Sequence, residues 1–136
     1  RVGDYGAGAA AGTVLFGRAN VLGTVSQAAG VPSGAILERG SNANGEYTRY
    51  ADGTQMCWIR DFLTVVSAAA VWTFPATFVN GNSPSILTAQ QPGGAQYNIW
   101  VSYQVGALNC TIRSSDSSNS EAVAPYCTLF AIGRWF

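Results

Sequence analysis

The sequence predicts an all-β fold: an antiparallel β-sandwich of about six to seven strands, preceded by an extended shaft or neck segment. Three observations support it. From residue 46 onward apolar and polar residues alternate, turn signals separate the alternating segments, and β-branched and aromatic residues fill them. The 136 residues, 48% of them hydrophobic, suffice for one compact core. We therefore expect a shaft over residues 1–45 and a sandwich over residues 46–136.

The shaft prediction comes from the amino-acid composition of the first 45 residues. They are rich in Gly and Ala, and their apolar pieces, such as 13–16 and 21–25, are too short to close a core within one chain. Wrapping around the same segments of sister chains, as in fibrous trimer shafts, would bury them, so a shaft is favoured. A flexible linker is the alternative, but linkers seldom carry residues such as Phe16 and Ile36.

The first hairpin is centred on Asp52-Gly53. This dipeptide lies between alternating segments at 46–51 and 54–61, and Gly accepts the positive φ that a tight turn requires. Because side chains alternate between the two faces of a strand, Trp58 is expected on the face opposite its immediate neighbours.

The rest of the chain supplies further strands. They are predicted over 67–74, 84–89, 97–104, 108–114 and 126–135. The spacing of Leu63, Val66 and Ala70 would also suit a helix over 61–71, but this stretch is rich in β-branched residues, so a strand is favoured.

A second hairpin is expected around Val105-Gly106-Ala107. In its first arm Ile99 and Val101 share one face, which leaves Trp100 on the other. In its second arm Leu108, Cys110 and Ile112 are expected to share one face.

Charge is sparse and balanced, and this excludes several functions. Seven Arg and seven acidic residues give zero formal net charge, only 10% of positions are charged, and there is no Lys. Nucleic acid needs a concentrated basic field, so no nucleic-acid partner is expected. No apolar run reaches the roughly 20 residues of a membrane span, so no membrane insertion is expected.

The three cysteines are Cys57, Cys110 and Cys127. They cannot all pair with one another within one chain, so we predict that they are small buried hydrophobic residues.

Catalytic chemistry finds little support. The chain has no His, which removes imidazole-based nucleophile activation, acid–base roles and zinc ligation. The seven acidic residues form no recognisable motif and read as turn formers or solvated strand residues. We therefore expect a protein that is not an enzyme and uses no cofactor, and we identify no metal-binding residues.

Three segments resemble a known family. The sequence SNANGEYTRYADGTQMC at 41–57 resembles the segment that opens the C-terminal domain of many bacteriophage and prophage tail-fibre proteins. The segments WTFPATF at 72–78 and LFAIGRW at 129–135 resemble the remaining frame of these domains. Residues 67–136 are more weakly similar to the H-type lectin domain, a trimeric sugar-binding sandwich.

The resemblance implies the distal tip of a tail fibre, assembled in the host cytoplasm and carried on the virion. Such a tip would be a homotrimer that binds a host cell-surface glycan or outer-membrane receptor, and its N-terminal side would contact other tail or baseplate proteins. Because the chain begins with Arg1 rather than Met, we expect it to be the C-terminal part of a longer protein. The alternatives are a purely structural virion segment and a glycan-cleaving tail spike.

The lectin family's sugar-contacting residues do not match this sequence, so candidate site residues come from the chain itself. Sugars stack on aromatic rings while amides and hydroxyls bind their hydroxyl groups, which makes Trp58 and Trp100 candidate platforms. The alternative is that both fill the sandwich core or the trimer interface.

Turns give the other candidates. If the shaft meets the sheet at residue 45, the turns at 52–53, 79–83 and 105–106 lie at the end away from the shaft, and 91–95 and 114–124 lie on the shaft side. The first group supplies Asp52, Asn80 and Asn82 as receptor-binding candidates. The rival is the polar loop 114–121, which supplies Ser115, Asp116 and Asn119. A merely solvated loop is the alternative for that segment.

Overall fold

The computed structural model describes residues 18–65, 68–79, 84–90, 97–116 and 125–136. One short helix is present among them, and the other regular elements are strands. The elements are α1 (Arg18–Val21), β1 (Gln27–Ala28), β2 (Val31–Pro32), β3 (Leu37–Asn42), β4 (Gly45–Tyr50), β5 (Thr54–Leu63), β6 (Ala70–Thr73), β7 (Ser85–Gln90), β8 (Tyr97–Val105), β9 (Asn109–Asp116) and β10 (Tyr126–Arg134). The all-β prediction is confirmed.

The strands form three antiparallel sheets. A five-stranded sheet has the order β3-β4-β5-β10-β7, a three-stranded sheet has the order β6-β9-β8, and β1 and β2 form a small hairpin. The predicted turns at 52–53 and 105–107 join the antiparallel neighbours β4 and β5 and the antiparallel neighbours β8 and β9. Both predicted hairpins are therefore confirmed.

The two large sheets face each other across a single core. The five-stranded sheet contributes Cys57, Leu129 and Ala131, which are fully buried, while Trp72 and Ile112 come from the three-stranded sheet. The chain between β6 and β7 adds two more buried rings.

Those two rings are Phe74 and Phe78, which flank the Pro75 that follows the end of β6. The ring of Phe74 lies edge-to-face against both Trp72 and Phe78, with centroids 5.0 Å apart in each pair. On β10 a Cβ added to Gly133 would lie 2.9 Å from the Phe78 ring. A small residue is therefore required where β10 passes this aromatic cluster.

Most differences from the predicted strands concern their ends. The strand predicted over 67–74 is β6, Ala70–Thr73, and β9 extends through Asp116 into the stretch predicted as a loop. Leu108 does not share a face with Cys110 and Ile112, because it lies in the β8–β9 turn and is exposed.

The larger difference concerns where the chain joins the sheet. Residues before 45 were expected to be shaft, but β3 pairs with β4 along six residues and forms an edge of the five-stranded sheet. The amide of Ala51 donates to the carbonyl of Ile36, and the amide of Ile36 donates to the carbonyl of Asn20. The chain therefore reaches the sheet beside the 52–53 turn. The shaft prediction for 1–17 lies outside the described residues, and the division at residue 45 stays a prediction.

One carboxylate fastens the segment before β3 to the sheet. Glu38 accepts hydrogen bonds from the amide of Val25 and the hydroxyl of Tyr47, both at 2.9 Å, and lies 3.9 Å from the Arg49 guanidinium. The bond to Glu38 raises the pKa of the Tyr47 hydroxyl, with burial adding to the effect. The side chains of Glu38 and Arg49 are partly buried, so these bonds are partly shielded from water.

The three cysteines are free and fully buried in the core, as the sequence predicts. Burial raises the pKa of the thiols of Cys57 and Cys127 to about 11 and that of Cys110 to about 12. The reactive thiolate is therefore scarce at neutral pH, and the thiols are covered by protein.

We expect the native chain to resist a water-soluble maleimide at pH 7.5, because neither access nor thiolate is provided. The same chain in 6 M guanidinium is expected to react at three thiols, about 100-fold faster or more. Intact mass after timed quenching measures both rates. Fast labelling of one thiol under native conditions would contradict the buried placement of that cysteine.

Candidate functional site

The two large sheets meet along one side of the sandwich through their edge strands, β7 and β8. The Thr88 hydroxyl donates to the carbonyl of Ile99 at 3.1 Å, and the amide of Tyr97 donates to Oε1 of Gln90 at 3.0 Å. Side chains of β7 thus bond to main-chain groups of β8 where a backbone ladder would otherwise run. The two edges stay apart, and a groove opens between them.

This β7–β8 groove has a volume of about 300 Å³ and is open to solvent. It is lined by Thr88, Gln90, Tyr97, Asn98, Ile99 and Trp100. The six residues supply two aromatic rings, two carboxamides and a hydroxyl besides the phenol, and none of them is charged. A groove of this size and composition suits a small, uncharged, hydroxyl-rich ligand.

The four tryptophans form two pairs that differ in whether the indole N–H donates a hydrogen bond within the protein. Trp72 donates to the carbonyl of Asn44 and Trp135 donates to the carbonyl of Tyr50, each at 2.9 Å. Among the described residues, none accepts a hydrogen bond from Trp58 or Trp100. The indole N–H groups of Trp72 and Trp135 therefore help to hold the fold together, whereas those of Trp58 and Trp100 make no such bond within the described residues.

Trp100 lies on the outer face of β8 with 38% of its surface exposed, and its neighbour two residues earlier, Asn98, is also exposed. Ile99 points the opposite way and packs against the core, which fixes the orientation of the strand. An aromatic face with a carboxamide beside it can stack on the apolar side of a sugar ring and bond to its hydroxyls.

Trp58 lies elsewhere, on the outer face of β5 in the other sheet. Its pairing partners on the two neighbouring strands are Glu46 and Phe130. The sequence therefore predicted correctly that both tryptophans lie opposite their inward-facing neighbours, but the structure does not bring them to one site.

Asp52 serves the turn in which it lies. Its carboxylate accepts a hydrogen bond from the amide of Thr54 at 2.8 Å, and this bond lowers the pKa of the carboxyl group. The Arg134 guanidinium in turn donates to the backbone carbonyl of Asp52. The Asp52 side chain is exposed, but its hydrogen bond to Thr54 shows that it stabilises the turn.

The ends of the sandwich are the reverse of those predicted. Strand β3 pairs with β4 before the point at which the chain was expected to meet the sheet, and it adds one strand. Asp52 consequently lies at the end where the chain arrives, called the near end here. Gln90 and Tyr97, at the tips of β7 and β8, lie toward the opposite, far end, because Gln90 pairs with Cys127 and Leu63 with Tyr126 there.

The remaining receptor-binding candidates come from the predicted loops and turns. Ser115 is fully buried within β9, so its side chain cannot contact a receptor, and that prediction is wrong. Asp116 is the last residue of β9 and pairs with Tyr97. Asn80, Asn82 and Asn119 lie outside the described residues.

Sequence reasoning missed most of the groove. Asn98 could have been found, because the alternation that exposes Trp100 also exposes the residue two positions before it. Thr88 and Gln90 could not, because the sequence does not say that the edge of β7 meets the edge of β8.

No metal centre or membrane helix is seen in the part of the chain that the structure describes. There, no group of three His, Cys, Asp or Glu side chains is close enough to hold an ion. No helix among these residues is long and apolar enough to cross a membrane.

Comparison of the chain with protein-family models, with curated proteins and with solved structures gave no significant match.

Proposed function

We propose that this chain is the receptor-binding tip of a bacteriophage tail fibre, acting as a homotrimer that binds a glycan on the host bacterial surface. The single observation that supports it best is the β7–β8 groove, where Trp100 lies with two carboxamides and two hydroxyls and none of the six lining residues is charged. The resemblance of segments 41–57 and 129–135 to tail-fibre domains supports the virion assignment.

Binding without catalysis fits the chemistry of the groove. None of its six lining residues is a carboxylate or an imidazole, whereas glycan cleavage usually needs two carboxyl groups flanking the scissile bond. A shallow groove with one stacking ring gives weak affinity per site. Three copies on one fibre would convert weak sites into avid attachment, because after the first contact the others bind at high effective concentration.

The position of the groove also suits attachment. It lies toward the far end of the sandwich, away from the residues that lead into β3. A fibre preceding β3 would therefore present the groove outward, toward a host cell.

The experiment is a binding titration with a Trp100→Ala variant. A panel of neutral oligosaccharides from bacterial surface polysaccharides is first screened for quenching of tryptophan fluorescence in the wild-type chain. For any oligosaccharide that binds, we expect Trp100→Ala to weaken binding about 10-fold or more, in line with the 1–3 kcal/mol of a stacked aromatic ring. Trp100→Phe is expected to keep most of the affinity.

The matched control is Val71→Ala, because Val71 is an exposed residue on the same sheet but on β6, away from the groove. It should bind like the wild type. Equal binding by Trp100→Ala would show that the ligand lies elsewhere. A chain that neither binds the panel nor adsorbs to any bacterial cell would favour a structural segment, and release of shorter oligosaccharides would show an enzyme.

A further inference from the structure

The outer face of the five-stranded sheet carries a second surface, unlike the groove in chemistry. Strand register places the side chains of Trp58, Phe130 and Leu87 in one row across β5, β10 and β7, with Met56 and Ile132 in the next row. All five point away from the core, because their neighbours Cys57, Leu129 and Ala131 are the inward-facing, fully buried residues.

We call this patch the β5–β10–β7 face, and much of it is exposed to solvent in the part of the chain that the structure describes. Leu87 is 58% exposed and Ile132 is 37% exposed, and Leu63 and Tyr126 extend the surface toward the far end with about half of each residue exposed. An aromatic side chain presents about 150–250 Å² in total, so these seven residues together expose on the order of 500 Å². That is close to the apolar part of the roughly 800 Å² that each partner buries in a standard interface.

The composition favours a protein partner over a sugar. Tryptophan, phenylalanine, tyrosine and methionine are the residues enriched in protein interfaces, and the patch has no counterpart to the carboxamides of the groove. A contiguous apolar surface of this size with charges only at its margin is typical of an interaction site.

The charges at that margin favour a second copy of this chain as the partner. Glu46 lies across from Trp58 on β4, and Arg60 lies two residues along β5 on the same face. Among the described residues neither is in an ion pair, whereas Glu38 and Arg49 are. Each copy thus offers one unpaired acid and one unpaired base at the same edge, and a chain of zero net charge does not repel its own copies.

We propose that the β5–β10–β7 face is the surface through which copies of this chain associate, with Arg60 of one copy meeting Glu46 of another at its margin. The inference rests on the self-association included in the proposed function and locates it on the molecule. It assigns the two outward-facing tryptophans different partners: sugar for the exposed Trp100 and a second chain for the half-buried Trp58.

The test measures the mass of the full chain by light scattering and sedimentation over 0.1–100 µM, a span chosen to cover roughly micromolar association. Wild type is expected to associate. Leu87→Glu, at an exposed edge-strand position, should weaken association about 100-fold or more while the circular dichroism spectrum stays native. Val71→Glu is the matched control, because Val71 is equally exposed on the outer face of the other sheet, and it should associate like the wild type.

Charge reversal tests the second copy. Arg60→Glu and Glu46→Arg should each weaken association, because they place like charges opposite each other, and the double variant should restore it. Unchanged mass for Leu87→Glu would overturn the surface, and failure of the double variant to restore association would overturn the Arg60–Glu46 contact.

The proposed function is tested by a separate measurement, the quenching of tryptophan fluorescence by oligosaccharides. A monomeric wild type that still binds sugar would overturn this inference and the trimer but leave the groove standing. An associated wild type that binds no sugar would leave this inference standing and count against the proposed function.

Discussion

Replacing Trp72 with alanine is expected to lower the free energy of unfolding by about 3–5 kcal/mol. Trp72 is 1% exposed, its ring contacts Phe74 edge-to-face, and its indole N–H donates to the carbonyl of Asn44. The substitution therefore opens a cavity between the two sheets and leaves that carbonyl without its partner. Because small domains have only about 5–15 kcal/mol of stability in total, a large fraction of that stability would be lost.

Guanidinium denaturation followed by circular dichroism measures this change. Trp100→Ala is the matched control, since Trp100 belongs to the same sheet but lies on its outer face. It should cost about 1 kcal/mol, the scale of a cross-strand pair. If the two variants were equally stable, the inward placement of Trp72 would be wrong.

Replacing Gly45 with alanine is expected to cost about 3 kcal/mol or more. Gly45 begins β4 with a φ of 124°, and a Cβ there would overlap the backbone carbonyl of Trp58 on β5. Neither atom can move without shifting the β4–β5 ladder, so the cost combines backbone strain with a steric clash.

Two other glycines separate these causes. Gly30 has a φ of 83° but no atom within 4 Å of an added Cβ, so Gly30→Ala should show backbone strain alone, about 1 kcal/mol. Gly106 has its nearest neighbour at 3.7 Å and no positive φ, so Gly106→Ala should change stability by about 0.5 kcal/mol or less. Thermal and chemical denaturation of the three variants would give the order, and a Gly45→Ala cost no larger than that of Gly30→Ala would contradict the close approach.

The sequence predicted those parts of the fold that depend on local patterns. Period-two alternation located seven strands, because one face of each packs against the core and the other meets solvent. The Asp52-Gly53 turn located a hairpin because its conformation is set within four residues. The cysteines were correctly placed because a small sulfhydryl in an alternating strand has the surroundings of a buried hydrophobe.

The strand β3 was missed because its support is not local. Its sequence, LERGSN, has one apolar residue, and the strand is held by pairing with β4 and by the bonds of Glu38 to Val25 and Tyr47. One missed strand inverts the direction of every later strand relative to the incoming chain. The turns at 52–53 and 105–106 therefore lie at the near end rather than the far end, although both join the strands that the sequence predicts. The predicted turns at 80–83 and 91–95 lie outside the described residues.

The candidate site was predictable only in part for a similar reason. Trp100 could be identified from its own strand, because alternation exposes it. Its groove partners Thr88 and Gln90 follow from the meeting of two sheet edges, which is a property of the assembled sandwich. Ser115 was a wrong candidate because a polar run reads as loop, whereas here it continues β9 into the interior.

The last residues of the chain lie close to the segment that leads into β3, and this has a practical consequence. Trp135 donates its amide to the carbonyl of Gly53, and Ile36 accepts from Ala51, so the last residues and the residues leading into β3 lie side by side at the near end. A fluorophore or affinity tag joined after Phe136 would therefore lie beside the residues that lead into β3 and away from the β7–β8 groove. Surface-immobilised copies would display that groove outward, in the orientation that the proposed fibre would give it.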